Sequence, residues 1–535
     1  MNRSRWILAL SFFGVIFGGT LAFWAVEKNW SLLDALYMTV ISVTTVGYGE
    51  VQPLSTAGRI VAMTVLFAGL GVFGLVISQV TSYAVGGALG GAVERRRAAW
   101  KARKLKGHTV IFGLGSRGKA LAIGVEKCVA IEPDEDKATD DSNRLREVII
   151  FKGNVEDEGI WSMAGVDRAE HVMVTAGSDE VNLNLAKSIR RHLVSQSVDG
   201  TRVMAAIEEY SARDCFADLL YRDGVQVIGL REQSLLMLTR EMTLRMIQGW
   251  ESLPGEPTRV TVQVAGPALG EVLRIIAMVV QVVGDFKPEI TVHGCDRKFI
   301  SSFKARFPEH ERCCRILWKD GEFGEESLPA NEPDLAFFEM ESNLRTIELA
   351  ERCQSRYPGM KPDQVVACLP ESGLSDDLPG GGEASPRIVS LYEEFLSRKD
   401  GVVSRAMEEE GRRIHEKYRQ EADYDVDEWA ELSEFHRDSN RLAALQQDIY
   451  RELWNRFREK AGDNELLEYS AKCEHRRWMA FHLMAGYRLD EEGVAREQRL
   501  RMKVHPNLVE YHDLTEEDRE KDRVNVRVAV DPSGG

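Results

Sequence analysis

The sequence predicts a multi-domain protein: an α-helical two-span membrane module, two Rossmann-like α/β domains, and a mostly α-helical C-terminal domain. Three observations predict it. Long charge-free apolar runs are confined to the first ninety or so residues; short apolar strands alternate with helical stretches from His108 to Leu369; aromatic and basic residues gather beyond Asp427. At ~100–200 residues per domain, 535 residues exceed a single core. A 44% apolar content excludes a largely disordered chain, and 28% charged residues exclude a polytopic membrane protein. The net charge of −16 argues against nucleic acid as a partner. None of the eight cysteines forms a C-x-x-C pair, so neither a zinc site nor a disulfide framework is indicated, and reduced thiols are expected.

The membrane module is assigned to residues 1–92. Residues 6–26 carry no charge and would make ~32 Å of helix, enough for a ~30 Å hydrocarbon core. A cleaved signal peptide would fit Arg3 and Arg5, but the run is too long for one and Phe23-Trp24 is a poor cleavage site. The inner helix is expected at 58–91, followed by a basic linker at 93–106 with seven basic residues and one acidic. Basic flanks at both outer ends place the N- and C-termini in the cytoplasm and the chain in the cell membrane.

Between the spans a short apolar stretch, 32–43, leads into Thr44-Thr45-Val46-Gly47-Tyr48-Gly49-Glu50. A spanning helix, a re-entrant helix, T-V-G-Y-G and a second spanning helix resemble the pore of prokaryotic potassium channels. A dehydrated K⁺ needs rings of oxygens in place of its water, so successive carbonyls must face one axis. Glycine at 47 and 49 permits that backbone, because a Cβ would disfavour it. The resemblance implies a filter at 44–50, K⁺ held by the carbonyls of Thr45, Val46, Gly47 and Tyr48, and closure by a homotetramer in the lipid bilayer. It also implies a gating hinge at Gly69, against which close helix packing is the alternative. Two positions depart from the family: Glu50 where Asp is usual, and apolar Ile41 where some relatives carry a buried carboxylate. No Lys/Arg ladder of a voltage sensor is present.

The strand His108–Phe112 runs into Gly113-Leu-Gly115-Ser-Arg117-Gly118 and a helix, and a second strand ends in Glu132, 19 positions after Gly113. This is G-x-G-x-x-G in a strand–turn–helix setting, suited to a pyrophosphate at a helix start and to a ribose on the acidic residue. Glu132 would repel a 2′-phosphate, which favours an adenine nucleotide or NAD(H) over NADP. Alternating strands and helices then predict a parallel doubly wound sheet. Behind a two-helix pore this resembles the RCK (regulator of K⁺ conductance, TrkA-N-like) domain, assigned to 107–250 with a crossover helix at Arg231–Ile247. Calcium-activated relatives place carboxylates where this chain has Asn154 and Ala206, leaving Glu208 alone, which argues against Ca²⁺ there.

A second, diverged RCK-like domain is expected at 257–390; its Gly266–Gly270 loop lacks the phosphate-binding spacing. Asp376–Gly382 reads as a flexible break and 391–422 as a charged helical linker. In 424–535 the series Glu474-His475-x-x-Trp478, Gly486-Tyr487, His505-Pro506-x-Leu508 and Glu520-Lys521-x-Arg523 resembles the ryanodine-receptor repeat (RyR) domain. Arg441, His475, Arg477 and Trp478 could form a ligand pocket there, or serve as core anchors.

Together these readings predict a ligand-gated K⁺ channel and not an enzyme, opened or closed by nucleotide on the RCK ring. One alternative is the same channel gated through the RyR-like domain, with a constitutive RCK ligand. The other is a membrane-tethered NAD-dependent enzyme, for which no acid/base constellation is evident.

Overall fold

The computed structural model describes residues 3–85, 88–134, 136–138, 145–323, 332–369, 385–398, 406–421 and 426–530. The chain divides into two compact units, Met1–Trp100 and Lys101–Gly535.

The first unit holds α1 (Arg3–Val26), α2 (Leu32–Val43) and α3 (Thr56–Val85). A capping box starts α2: the Ser31 hydroxyl accepts from Asp34 N at 3.2 Å, and the Asp34 carboxylate accepts from Ser31 N at 3.0 Å. The helices close around Phe23, Trp30, Ile41, Val43 and Val65. Their outer faces are apolar and bare, with Phe13, Phe17 and Trp24 exposed on α1 and Ile60, Met63 and Phe67 on α3. Such a surface is unfavourable in water and suited to lipid or to further copies of the chain. Among the described residues, Thr56–Leu75 is the one stretch long and apolar enough to span a membrane, with Ser11–Val26 and Leu32–Val43 shorter apolar helices.

Residues 86–87 lie outside the described part, and α4 (Ala88–Ala102) follows, so most of the basic segment expected as a linker is helical. Glu27 was not singled out in the sequence. Its buried carboxylate accepts from Ser55 N at 3.0 Å and Ser55 Oγ at 2.8 Å, tying the end of α1 to the start of α3.

In the second unit the first sheet comprises β1 (Thr109–Phe112), β2 (Cys128–Glu132), β3 (Ile149–Lys152), β4 (His171–Val174), β5 (Arg202–Ala206) and β6 (Val225–Ile228), joined by α5 (Ser116–Gly124), α6 (Glu158–Ala164), α7 (Asp179–Ser195) and α8 (Tyr210–Arg222). All pairs are parallel in the order β3-β2-β1-β4-β5-β6, with Thr109 opposite both Cys128 and His171. Helices on both faces explain why β1, β2 and β4 are buried at every residue. α9 (Leu230–Ile247) then leads to a second sheet of β7 (Arg259–Val264), β8 (Glu289–His293), β9 (Arg315–Lys319), β10 (Leu335–Glu339), β11 (Val365–Leu369) and β12 (Arg387–Ser390), with α10 (Ala268–Val279), α11 (Arg297–Arg306) and α12 (Asn343–Arg356) between strands. Its order, β12-β11-β10-β7-β8-β9, is the first sheet's order over again. The second domain is therefore a copy of the first in topology.

The two copies exchange helices. α9 follows the last strand of the first sheet yet buries Leu235, Leu238 and Met242 with Val260, Val262 and Leu273 of the second domain. α13 (Leu391–Leu396) follows the last strand of the second sheet, and its Leu396 is buried with Ile111, Leu121 and Met204 of the first. Beyond it lie α14 (Ala406–Glu421), α15 (Glu434–Ala461), α16 (Asp463–Leu483), α17 (Arg496–Met502), α18 (Glu516–Val530) and two two-residue strands, β13 (Arg488–Leu489) and β14 (Val504–His505). Ile449 and Leu453 of α15 join the core that α9 and α10 form. Within the charged helical linker expected at 391–422, the described residues form α13 and α14. Residues 399–405 and 422–425, the expected break at Asp376–Gly382, and 531–535 lie outside the described residues.

α3 runs unbroken through Gly69, where a Cβ would lie 2.9 Å from Val43 Cγ2 and 3.0 Å from Val43 Cα, whereas Gly71 faces open space. Gly69→Ala is therefore expected to lower stability by ~1–3 kcal/mol through overpacking, read as a lower melting temperature in detergent. Gly71→Ala should leave the melting temperature unchanged or raise it.

Candidate functional site

The filter segment starts where α2 ends. Thr44 caps the helix and its hydroxyl donates to Val40 O at 2.7 Å. The chain then alternates in handedness: φ is +62° at Thr45, +65° at Gly47 and +113° at Gly49, while Val46 and Tyr48 between them are not in the positive region. In a strand of uniform sign, successive carbonyls point to opposite sides; alternating the sign can turn them to one. Positive φ in a threonine is costly, of order 1–3 kcal/mol, and must be held by its surroundings. Here the brace is the carbonyl of Ile41, which accepts from Val46 N at 3.0 Å and Gly47 N at 3.3 Å. Glu50 accepts from Leu54 N at 3.2 Å, fixing the return to α3. Val46 is 51% exposed and Tyr48 83%, so a single chain leaves uncovered the two side chains that a closed filter would pack away.

In the second unit the glycines of the predicted nucleotide loop have separate duties. Gly113 has φ +94°, and a Cβ there would lie 2.6 Å from Ala176 Cα; a Cβ at Gly118 would lie 1.9 Å from Gly113 O. Both are needed for the strand and helix to pack. Gly115 is different: nothing lies within 4 Å of a Cβ placed there, and as the residue capping α5 it offers no side chain to the helix's free N–H groups. That open face is where backbone can approach an anion. Glu132 is buried at the end of β2, accepting from Leu114 N at 2.5 Å and Asp134 N at 2.9 Å, so it braces the glycine turn. Arg117 faces protein: it pairs with Glu208 at 2.7 Å.

At the residues compared with a calcium site, the Asn154 side chain accepts from Glu156 N at 3.1 Å, and Asn182 Nδ2 donates to Ala206 O at 2.9 Å. Among the described residues no group of three or more His, Cys, Asp or Glu side chains is arranged to hold a metal ion.

The matching mouth of the second sheet is filled from within. Arg231, in the first turn of α9, donates to both oxygens of Glu339 at 2.7 Å and to Glu271 at 3.0 Å. A guanidinium of the protein thus lies against Glu271, in the first turn of the helix that follows the Gly266–Gly270 loop. Its backbone N–H also reaches Glu208 at 3.2 Å, so Arg117, Glu208, Arg231 and Glu339 form one chain of polar contacts from the first loop to the second sheet. No sequence signal announces this chain, since its partners lie up to 108 residues apart.

The four residues predicted as a C-terminal pocket are not brought together. Arg477 is 1% exposed and pairs through both nitrogens with Glu474, at 2.8 and 2.7 Å, while Glu474 also accepts from Tyr450 OH at 2.7 Å. Three residues apart on α16, the two charges pair inside the core, where Asn525 Nδ2 also donates to Glu474 at 3.2 Å. His475 is buried, with Nε2 2.8 Å from Val509 O and Nδ1 3.3 Å from Asp522, and Trp478 stacks on its ring at 5.8 Å. Arg441 stands elsewhere, on α15, lining a cavity that the other three do not reach.

Comparison with known proteins agrees with this geometry. Residues 10–85 match the family described as "Ion channel", and residues 109–229, the whole first sheet, match the "TrkA-N domain" family. The chain carries an ion-channel domain followed by a TrkA-N domain. Potassium channel protein 1 of Methanocaldococcus jannaschii is 25% identical over 31% of this chain and 50% of its own length. The calcium-gated potassium channel TvoK of Thermoplasma volcanium is 30% identical over 28% of this chain and 40% of its own. The chain thus spans about half or less of the length of these curated relatives. Among solved structures, "GsuK channel bound to NAD" covers 74% of this chain and 83% of that one at 15% identity, with a TM-score of 0.32.

Two outcomes follow for the TrkA-N domain and its second copy. Gly115→Ala should leave the melting temperature unchanged, whereas Gly118→Ala should lower stability by ~1–3 kcal/mol through overpacking. Burial and the neighbouring Glu232 push the Glu271 carboxyl up from the usual 4.5 to about 7, although Arg231 opposes them. The folded state then holds a proton that the unfolded state has lost, so this group favours folding at low pH and its contribution falls away as pH rises from 4.5 to 7. The change amounts to roughly 3 kcal/mol at most. Glu271→Gln should flatten that part of the thermal-stability profile.

Proposed function

We propose that the chain is one subunit of a homotetrameric, K⁺-selective channel of the cytoplasmic membrane, with both termini on the cytoplasmic side, gated by an adenine nucleotide or NAD(H) at the Gly113–Gly118 loop. The observation that carries this reading is the alternation of φ at Thr45, Gly47 and Gly49 within T-V-G-Y-G. That backbone suits carbonyls converging on a stripped monovalent cation, and one chain supplies one side of such a ring. The bare Val46 and Tyr48 side chains support closure by further copies. The names of the two archaeal relatives, both potassium channels, point the same way.

The ligand would place a phosphate against the free N–H groups at the start of α5, beside Gly115, and a ribose against Glu132. Arg117 is the cation nearest that position in sequence, and its present partner is Glu208. A phosphate that draws Arg117 away leaves Glu208 to the Arg231 N–H alone, shifting the contacts that seat α9 in the second sheet. A ligand moves such an equilibrium only through its different affinity for the two states. Four sites at about tenfold preference each supply ~5.6 kcal/mol, close to the ~5.5 kcal/mol of a near-complete switch. The covalent route to the pore runs through the basic segment of α4. An enzymatic reading finds little support at this loop, because Arg117 and Glu208 neutralise each other and leave no free acid/base pair. A second reading, with an RyR-like C-terminal module as the main sensor, has the Arg441 cavity in its favour.

Reconstitution into liposomes tests the proposal. K⁺ flux should exceed Na⁺ flux, NAD or ATP should change it, and Gly115→Asp should remove that change. Equal K⁺ and Na⁺ flux would overturn the channel reading. Loss of the nucleotide response in a Phe435→Leu protein of unchanged melting temperature would transfer the sensor to the C-terminal module.

A further inference from the structure

A cavity of about 260 Å³ lies where the first sheet's α8 and α9 meet the C-terminal helices α14 to α17. One wall is apolar and partly aromatic: Phe435 and Tyr487 stack at 4.8 Å with their planes 13° apart, and Met237, Met278 and Leu445 continue the surface. The opposite wall is charged, and its cations are already committed. Arg213 and Arg274 both turn to Glu232. Arg441, buried, is shared among Glu408 at 2.7 Å, Glu434 at 2.6 Å and Asp438 at 2.6 Å. At the rim Lys503 pairs with Asp214 at 2.6 Å.

What remains open toward the cavity is acceptor capacity. Of the three carboxylates on Arg441, Glu434 is also held by Arg437 at 3.0 Å and Glu408 lies 3.9 Å from Arg202, whereas half of the Asp438 side chain is uncovered. Gln233, also on the wall, has its Oε1 buried without a hydrogen-bond partner. An anionic ligand would have to break existing ion pairs to find a donor, and each broken pair leaves a carboxylate unmatched.

We propose that this cavity binds a small organic cation, an apolar or flat body bearing a protonated amine, amidine or guanidine. Its body lies against Phe435, where an aromatic face also attracts positive charge, and its donors meet Asp438 and Gln233. Because the cavity is built from the TrkA-N domain on one side and the C-terminal helices on the other, an occupant holds the two together. Binding here does not depend on any ligand at the Gly115 loop.

Benzamidine, a flat ring with a planar cation, is a suitable probe on the full chain in detergent, read by calorimetry and by thermal shift. Saturable binding is expected, weakened about tenfold or more by Asp438→Asn, which removes a charge-assisted contact, and weakened also by Phe435→Leu. Benzoate should not bind, and AMP and NAD should not displace benzamidine. The proposal is overturned by absence of benzamidine binding at millimolar concentration, by equal binding to the Asp438→Asn protein with its melting temperature intact, or by displacement of benzamidine by AMP.

Discussion

The first turn of α9 sets the arrangement of everything in the second unit. Arg231 and Glu232, adjacent in sequence, face in two directions at once: Arg231 reaches Glu271 and Glu339 of the second domain, and Glu232 accepts from Arg213 of the first domain and Arg274 of the second. Charges withdrawn from water are tolerated only when geometry satisfies them almost completely. A small rotation of one sheet against the other would leave a carboxylate or a guanidinium without its partner. Apolar contact alone gives no such angular discrimination, since hydrophobic surfaces slide at little cost. The ion pairs at the base of α9 therefore act as the angular lock, and the Leu235–Met242 surface beside them supplies the bulk of the burial.

This lock also breaks the equivalence of the two copies. α9 begins Leu230-Arg231, and α13, which follows the matching strand of the other sheet, begins Leu391-Tyr392. Where the first gives the opposite mouth an arginine, the second gives a phenol: burial and the nearby Glu208 push Tyr392 up to about 12, so it stays uncharged. The second mouth is thus permanently supplied with a cation from within the chain. At the first loop Arg117 pairs with Glu208 instead, and the space beside Gly115 is open. Two copies of one topology thus differ in the residue that each exchanged helix presents at its start, Arg231 in one and Tyr392 in the other.

The parts of this architecture legible in the sequence are those that local physics imposes. Parallel strands covered on both faces favour near-continuous apolar runs, which is why β1, β2 and β11 stand where the pattern places them. The glycine loop was visible because its turn excludes Cβ atoms at fixed spacing. β12 was not: its four residues, Arg387 to Ser390, include only two apolar side chains and are too few to display a period. Glu27 and Arg231 looked like ordinary charges because their partners are distant in the chain. Arg477 was misleading for the opposite reason. Its partner Glu474 sits one helical turn away in plain view, yet nothing in the local pattern tells a buried ion pair from an exposed one.

The filter obeys a different logic from the body that follows it. Its unusual backbone is braced by a main-chain carbonyl, that of Ile41, at the position where the family resemblance would allow a buried carboxylate. A carbonyl does not titrate, so this brace holds at any pH at which the helix persists. In the second unit the decisive contacts are carboxylates, one of which, Glu271, changes protonation near neutrality. In the second unit a change of protonation therefore acts at the seat of α9, where Arg231 meets Glu271. The first unit mixes both kinds of contact: the filter backbone leans on a peptide carbonyl, while the carboxylates of Glu50 and Glu27 tie it to the start of α3.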